Sequence, residues 1–260
     1  MKRKSTFFLI AVLFFVIPVA VLFIQSFTSP GGFAGVQLDS WGILFSDPHL
    51  WSATFWSIGI GAFVLLLNFL IGISSGRALA LNSFKFHSAI EALLLAPILI
   101  PVLLAAMGLH LFMIRIGLAD TWIGVSLVHL VPTIPYSNKI FRNAYNQVDK
   151  KLMEQSEILG AAPFRQFITI ELPLLKAAIR SVTFLTIVIS LSQYAITAII
   201  GGGIVITLPM IFFPYLDSAN DSVMSAFALW FAIPPLIIYL IIESLLLLIP
   251  YSRKPWRQRT

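Results

Sequence analysis

The chain lacks the side-chain sets that most enzyme chemistry requires. It contains no cysteine, which excludes thiol nucleophiles, thiolate metal sites and disulfides. No G-x-x-x-x-G-K-[ST] sequence is present to bind nucleotide phosphates, and the glycines at 201–203 continue into Ile204 and Val205 without a lysine. His129 has no second ligand at helical spacing, so no metal site is predicted. We therefore expect neither a catalytic centre nor a cofactor.

One segment, residues 143–171, combines residue types and spacings that indicate a function. It contains Asp149, which can cap a helix. The apolar positions of that helix are interleaved with charged ones and are Leu152, Met153, Ile158 and Leu159. Gly160 stands where a left-handed cap would end the helix, and Pro163 stands where proline favours the first turn of another. The segment is predicted to form two short helices joined at a glycine corner.

A second group of polar residues lies within long apolar stretches. Polar side chains are costly in lipid unless they face a cavity or another helix. The candidates for lining a translocation path are Asn68, Thr133, Ser190, Gln193, Tyr194 and Thr197. Ser190, Gln193 and Thr197 follow an i, i+3, i+7 spacing and would share one helix face. The alternative for each residue is hydrogen bonding between packed helices.

The composition excludes an ordinary soluble domain. Of the 260 residues, 58% are hydrophobic and 11% are charged, whereas soluble domains carry about 25% charged residues. A helix that crosses a bilayer needs about 20 apolar residues, and six stretches are long enough. The predicted spans lie at residues 7–27, 51–72, 88–109, 121–141, 174–200 and 222–249. The expected fold class is therefore all-α, a polytopic membrane protein with six transmembrane helices.

Local signals predict where the spans begin and bend. Ser88 and Glu91 have the spacing of a capping box at the start of the third span, and Asp221 and Ser222 can cap the sixth. Prolines are predicted to kink the third span and to interrupt the fourth, at Pro97, Pro101, Pro132 and Pro135. The expected domains are 1–50, a first helix with an external loop; 51–249, a domain that contains the other five spans; and 250–260, a basic tail.

The basic residues are distributed asymmetrically. With six spans, all of the 17 basic residues except Arg115 fall on one side of the membrane. The positive-inside rule makes that side cytoplasmic, with both termini and residues 143–171. Loops 28–50 and 201–220 then lie outside, where the glycines at 201–203 are expected to form a tight turn or to contact an extracellular protein. The net charge of +6 thus reflects topology, and no nucleic-acid partner is expected.

The 143–171 segment resembles the EAA loop of permease subunits of binding-protein-dependent ABC importers. That pattern is Glu-Ala-Ala, three residues, Gly, nine residues, Ile, one residue, Leu-Pro. The chain matches each fixed step at Glu154, Gly160, Ile170, Leu172 and Pro173. Two departures from the pattern replace its alanines, with Gln155 and Ser156. The six-span layout also resembles this type I, MetI-like family.

The resemblance implies a non-catalytic permease subunit in a bacterial inner membrane, with a coupling helix between spans four and five. The implied partners are cytoplasmic ABC ATPase subunits, a second permease subunit, identical or different, a solute-binding protein outside, and membrane lipid. The residues implied in coupling to the ATPase are Glu154, Gln155, Ser156, Gly160, Ala161, Pro163 and Phe164. Residues 191–209 look like permeases for polyamines, thiamine, ferric iron or oxyanions.

Two alternatives remain open at the level of sequence. The chain could be a self-contained secondary carrier or channel, although no midspan Asp, Glu, Lys or Arg is present for ion coupling. Glu243, near the inner end of the sixth span, is expected to reach the surface or to pair with a basic residue. The 143–171 segment could also be an amphipathic loop that lies on lipid headgroups.

Overall fold

The computed structural model describes residues 2–28, 37–216 and 220–249, with side chains from Val12 onward. Its described residues form helices and connecting turns without a strand, which confirms the all-α class. The helices are α1 Lys2–Gln25, α2 Asp39–Ser46, α3 Leu50–Leu81, α4 His87–Leu95, α5 Val102–Arg115, α6 Trp122–Tyr145, α7 Lys150–Ile158, α8 Pro163–Gln166, α9 Leu172–Leu174, α10 Lys176–Leu191, α11 Tyr194–Ile200, α12 Leu208–Phe212 and α13 Asp221–Leu248. The predicted tail at 250–260 lies outside the described residues.

Several of these helices have the length and composition of membrane spans. α3 and α13 are each long and apolar enough to cross a bilayer. Two bent pairs also qualify if each pair is one span, namely His87–Leu99 with Val102–Arg115 and Pro163–Leu174 with Lys176–Leu191. In α1, the part with described side chains is an apolar helix, Val12–Gln25. The polytopic helical fold is therefore confirmed, and the count of six spans stays a prediction.

The third predicted span is broken rather than kinked. Between α4 and α5 the chain bends by 108°, at a short 3-10 turn that contains Pro97 and ends before Pro101. The predicted capping box is wrong, because α4 begins at His87 and no side chain caps it. Glu91 instead accepts a hydrogen bond from Arg142 of α6. A charged partner binds a carboxylate more strongly than a backbone amide does.

The prolines of the fourth span have less effect than predicted. Pro132 and Pro135 lie inside α6, which continues as one helix to Tyr145. Extensive packing of α6 against α3 supports this continuous helix. The sixth span is capped by Asn220, whose Oδ1 accepts from the Val223 amide at 3.2 Å, and not by the predicted Asp221 or Ser222.

The predicted fifth span, residues 174–200, consists of several helical pieces. A π-helical turn, Phe167–Glu171, leads into α9, and the chain then bends by 74° into α10. α10 ends at Leu191, and α11 begins at Tyr194 after a break at Ser192 and Gln193. The side chains around this break therefore follow the geometry of two helices and not of one.

α3 and α6 pack closely against each other. A Cβ atom added to Gly72 would lie 2.9 Å from the Phe141 ring, and one added to Gly76 would lie 2.8 Å from the Arg142 backbone nitrogen. The two glycines form a G-x-x-x-G sequence, a pattern that allows membrane helices to approach closely. Our sequence analysis did not use this signal. Around the contact, Ser75 Oγ accepts a hydrogen bond from Asn138 Nδ2 at 2.7 Å.

We expect Gly76→Ala to destabilise the protein by about 1–3 kcal/mol, because its methyl group cannot fit without separating α3 from α6. The change would appear as a lower midpoint of thermal unfolding, followed by tryptophan fluorescence in detergent. Gly59→Ala is the matched control on the same helix, since no atom lies within 4 Å of its added Cβ. It should leave the midpoint unchanged or raise it, because alanine favours helix over glycine. Equal midpoints for both variants would contradict the close contact.

Candidate functional site

Residues 149–171, here called the corner segment, begin with the predicted capped helix and glycine turn. Asp149 Oδ1 accepts from the Lys151 amide at 3.0 Å at the start of α7. At its end Gly160 has a φ of +78°. The Gly160 amide donates to the Glu157 carbonyl at 2.9 Å, and the Ala161 amide donates to the Ser156 carbonyl at 3.0 Å. These two bonds form a Schellman cap, so the predicted corner geometry is confirmed.

A buried glutamine joins the two arms of the corner segment. Pro163 opens α8 in the first turn, as predicted. From α8, Gln166 Nε2 donates to the Met153 carbonyl of α7 at 3.2 Å and lies 3.3 Å from Met153 Sδ. Both side chains are buried. Sequence analysis did not single out Gln166, because a polar residue in a charged segment carries no local sign of burial.

Three large apolar side chains are exposed at the outer end of the corner segment. Ile158, Leu159 and Phe164 are 85%, 86% and 75% exposed. The predicted coupling residues Glu154, Gln155 and Pro163 are exposed as well, and Ala161 is half-buried. Ser156 differs, because it is buried and its hydroxyl donates to the Met153 carbonyl at 2.7 Å.

An open cleft of about 520 Å³ separates α7 from the end of α3. The two basic side chains that line the cleft, Arg77 and Lys150, both bind other groups of the protein. Arg77 Nη2 lies 3.0 Å from Glu171 Oε1, and Lys150 Nζ donates to the Leu81 carbonyl at 2.9 Å. Its two carboxylates, Glu154 and Glu157, are exposed and make no ion pair within residues 37–216 and 220–249. The two carboxylates are therefore available to a basic group of a partner, while Lys150 keeps its own positive charge.

Glu171, the last residue of the π-helical turn, is 1% exposed. Besides Arg77, its carboxylate accepts from the Tyr145 hydroxyl at 2.7 Å. Burial, together with that hydrogen bond, raises the pKa of the Tyr145 phenol above its ordinary value, so the hydroxyl remains a donor. We call these three side chains the Glu171 junction. Sequence analysis did not identify the junction, although an acidic residue directly before an apolar run was a usable signal.

Four of the predicted path residues lie in one buried network. Asn68 Nδ2 donates to Thr133 Oγ1 at 2.8 Å, and Thr133 Oγ1 donates to the His129 carbonyl at 2.9 Å. The His129 ring nitrogens lie 2.9 Å from Ser190 Oγ and 3.0 Å from Thr197 Oγ1. All five side chains are buried, so these contacts join α3, α6, α10 and α11. This geometry corresponds to the packing alternative, and a path role for the four residues stays a prediction.

The other two predicted path residues occupy the break between α10 and α11. Gln193 is half-buried at the N-terminal end of α11, and Tyr194 is half-buried and stacks on Phe213 with ring centroids 4.2 Å apart. Because the helix breaks here, Gln193 does not continue the face that Ser190 and Thr197 share around His129.

The glycine loop between α11 and α12 is a tight turn, as predicted. Gly202 and Gly203 have φ values of +54° and +77°. A Cβ atom on Gly202 would collide with Asp120 Oδ1, so the loop between α5 and α6 lies in direct contact with this glycine. The Asp120 amide also donates to the Ile200 carbonyl at 2.8 Å. Elsewhere, Arg180 Nε donates to Glu243 Oε2 at 2.6 Å, which confirms the predicted basic partner.

Comparison with known proteins gives one family and several relatives. The family described as "Binding-protein-dependent transport system inner membrane component" matches residues 68–250. The molybdate/tungstate transport system permease protein WtpB of Thermococcus kodakarensis is 26% identical over 193 residues, 72% of this chain and 74% of that protein. The putrescine transport system permease protein PotI of Escherichia coli is 25% identical over 221 residues, 81% of this chain and 79% of that protein.

Solved transporters share the fold. A bacterial ABC transporter that imports the polysaccharide alginate matches with a TM-score of 0.68 at 14% identity, over 94% of this chain and 95% of its own. The same transporter in complex with an alginate-bound periplasmic protein matches with a TM-score of 0.64 at 15% identity, over 94% and 91% of the two chains. The MetNI methionine ABC transporter matches with a TM-score of 0.57 at 17% identity, over 79% and 99%.

The exposure of the corner segment and the charge asymmetry together predict a labelling pattern. A cysteine at Gln155 should react with a membrane-impermeant maleimide in inverted vesicles and not in intact cells, because the exposed residue is predicted to be cytoplasmic. A cysteine at Ser156 should react poorly on either side, since this position is 8% exposed. The absence of native cysteine makes both measurements specific. Reaction of the Gln155 variant in intact cells would overturn the topology.

Proposed function

Because the chain belongs to the family of binding-protein-dependent transport system inner membrane components, we propose that it is the permease subunit of an ABC importer. With a second permease chain, identical or different, it forms the translocation path. Its corner segment docks on a separate cytoplasmic ATPase. The observation that carries this proposal is the rigid, solvent-facing corner at Ile158, Leu159 and Phe164.

Exposure of these three side chains supports a protein partner. Exposed large apolar side chains are typical of an interaction site when polar residues surround them. Glu154 and Glu157, on the same helix as Ile158, are exposed and charged. The Schellman cap and the Gln166 contacts also hold the corner as one unit, so it can transmit a push without deforming. A loop lying on lipid headgroups would not need that rigidity.

The partner surface is expected to be apolar with a basic group at one side. Glu154 and Glu157 line the cleft beside α3 and make no ion pair within the described residues. An arginine from the ATPase could form a charge-assisted pair with either carboxylate. Such a pair would orient the docking, while the apolar side chains would supply most of the affinity.

The remaining partners follow from the family. A solute-binding protein would dock outside, where the Gly202 and Asp120 loops meet, by analogy with the alginate transporter and its periplasmic protein. We place the chain in a bacterial inner membrane with both termini cytoplasmic, and ATP hydrolysis in the partner subunits. Within it, residues 51–249 form the permease domain, preceded by a first helix and external loop at 1–50 and followed by a basic tail at 250–260.

Small ions are the proposed substrate class, drawn from polyamines, thiamine, iron and oxyanions. The relatives named above are permeases for an oxyanion and for a polyamine, which have opposite charges. The segment 181–200 contains no charged residue, so the path candidates Gln193 and Tyr194 would favour neither sign. Selectivity would then reside in the binding protein. Neither the described residues nor the relatives favour the alternative of a self-contained carrier or channel.

Two substitutions in the corner segment should uncouple the permease from its ATPase. Gly160→Val forces a branched side chain into the left-handed region, at a cost of about 1 kcal/mol or more, and Glu154→Lys repels a basic partner. We expect ATPase binding about tenfold weaker or worse, which corresponds to about 1.4 kcal/mol. Copurification with the tagged permease and the ATP hydrolysis rate of the complex measure this loss.

Matched controls separate docking from instability. Gly117→Val imposes similar backbone strain, since Gly117 has a φ of +72° with no atom within 4 Å of its added Cβ, but it lies between α5 and α6. Asp39→Lys makes the same charge change at an exposed position of α2. Both controls should retain the ATPase. If the Gly160 and Glu154 variants also retained it and stimulated hydrolysis fully, the corner segment would not be the coupling site.

The chain should not transport by itself. It has no phosphate-binding loop and no midspan charge for ion coupling, so no energy source is visible in it. Liposomes that contain only the purified chain should take up labelled putrescine and molybdate no faster than empty liposomes. Uphill uptake without an ATPase would contradict the proposed function.

A further inference from the structure

The Glu171 junction links three parts of the fold through one carboxylate. Glu171 belongs to the corner segment, and Arg77 lies near the end of α3. Tyr145 is the last residue of α6. The Arg77 contact is 3.0 Å and the Tyr145 contact is 2.7 Å, and each uses a different carboxylate oxygen. A displacement of the corner segment relative to either helix would therefore break a hydrogen bond to a buried charge.

Contacts on both sides make the junction stiff. Tyr145 is fully buried and packs in a core cluster with Phe141, Met153 and Leu175. Since Met153 lies in α7 and is bound by Gln166 of α8, that cluster contains the base of the corner itself. The corner segment thus contacts the two helices through both apolar packing and the junction.

The Glu171 side chain is far more buried than that of Arg77, so loss of the contact costs more free energy at the carboxylate. The Glu171 side chain is 2% exposed, whereas that of Arg77 is 45% exposed. Water can solvate Arg77 if the pair breaks, but it cannot reach the carboxylate in place. Breaking a contact to a buried charge is costly because the charge is left uncompensated. The carboxylate therefore resists separation from its two donors.

We propose that Glu171 is a positioning residue that makes the corner segment, α3 and α6 move as one body when the ATPase binds and hydrolyses ATP. The inference rests on the proposed function, in which an ATPase bound to the corner segment displaces that segment. Its consequence is that a movement imposed at Ile158 and Leu159 reaches the buried network around His129, because that residue lies in the same α6.

Paired spin labels test the proposal in the assembled complex with its ATPase. Lys151→Cys on α7 and Leu70→Cys on α3 supply the labelling sites, both at exposed positions, and labelled chains are diluted with unlabelled ones so that distances within one chain dominate. Leu70 lies about two helical turns before Arg77, so relative displacement of the corner changes this distance. Distances are compared without nucleotide and with ATP and orthovanadate.

With Glu171 present, we expect one narrow distance distribution that is the same in both nucleotide states. Glu171→Gln removes the charge while keeping an oxygen that Tyr145 can bind. It should yield a second, displaced population with ATP and orthovanadate, while hydrolysis by the complex persists. Arg165→Gln, which removes an exposed charge from the same segment, should behave as the parent. The distance distribution is a readout that mere loss of folded protein would not shift.

Three results would overturn the proposal. The first is an unchanged narrow distribution in Glu171→Gln, and the second is a parental distance that shifts with nucleotide. The third result concerns folding. If Glu171→Gln is produced poorly, the double variant Arg77→Gln with Glu171→Gln is measured as well, because it leaves neither charge of the pair. Failure of both to accumulate, while Arg165→Gln does, would show a role in folding and not in positioning.

Failure of the proposed function would look different. In that case the parental chain would not copurify with the ATPase or stimulate it, whatever residue occupies position 171. A complex that assembles and hydrolyses ATP, but whose Glu171→Gln variant keeps the parental distances, would refute only the junction. The two inferences are therefore separated by the copurification measured on the parent.

Discussion

Gly72 and Gly76 allow α3 to approach α6 so closely that a single methyl group would not fit between them. Other contacts of the structure depend on this approach. One turn before Gly72, Asn68 can reach Thr133, and directly after Gly76 the Arg77 side chain can reach the carboxylate that Tyr145 also binds. Larger residues would separate the helices, and the polar side chains between them would lose partners that lipid cannot replace.

The corner segment differs from this contact, because three large apolar side chains at its outer end are exposed. Its base is fixed by local bonds around Gly160 and by Gln166, so exposure of Ile158, Leu159 and Phe164 does not loosen it. A rigid projection with an apolar end and carboxylates that form no ion pair in the described residues has little use in an isolated chain. Such a surface is typical of a subunit of a larger complex, in agreement with the family to which the chain belongs.

The polar residues in the apolar stretches illustrate a limit of sequence reasoning. Their types indicated partners within the membrane, and the structure supplies those partners from other helices. Which residues would pair was not predictable, since His129 binds groups 61 and 68 positions away. The helical spacing of Ser190, Gln193 and Thr197 assumed one unbroken helix, and the break at Ser192 and Gln193 invalidates that assumption.

Features that depend on nearest neighbours or on composition were predictable from the sequence. Apolar stretches predicted a polytopic helical protein, and Asp149, Gly160 and Pro163 predicted the corner, because caps and positive φ values are set within a few residues. The 108° bend after α4, the pairing of Glu91 with Arg142 and the burial of Glu171 became visible in the folded chain. Each of these depends on which helices lie side by side, and contacts between distant residues leave no local pattern from which they could be read.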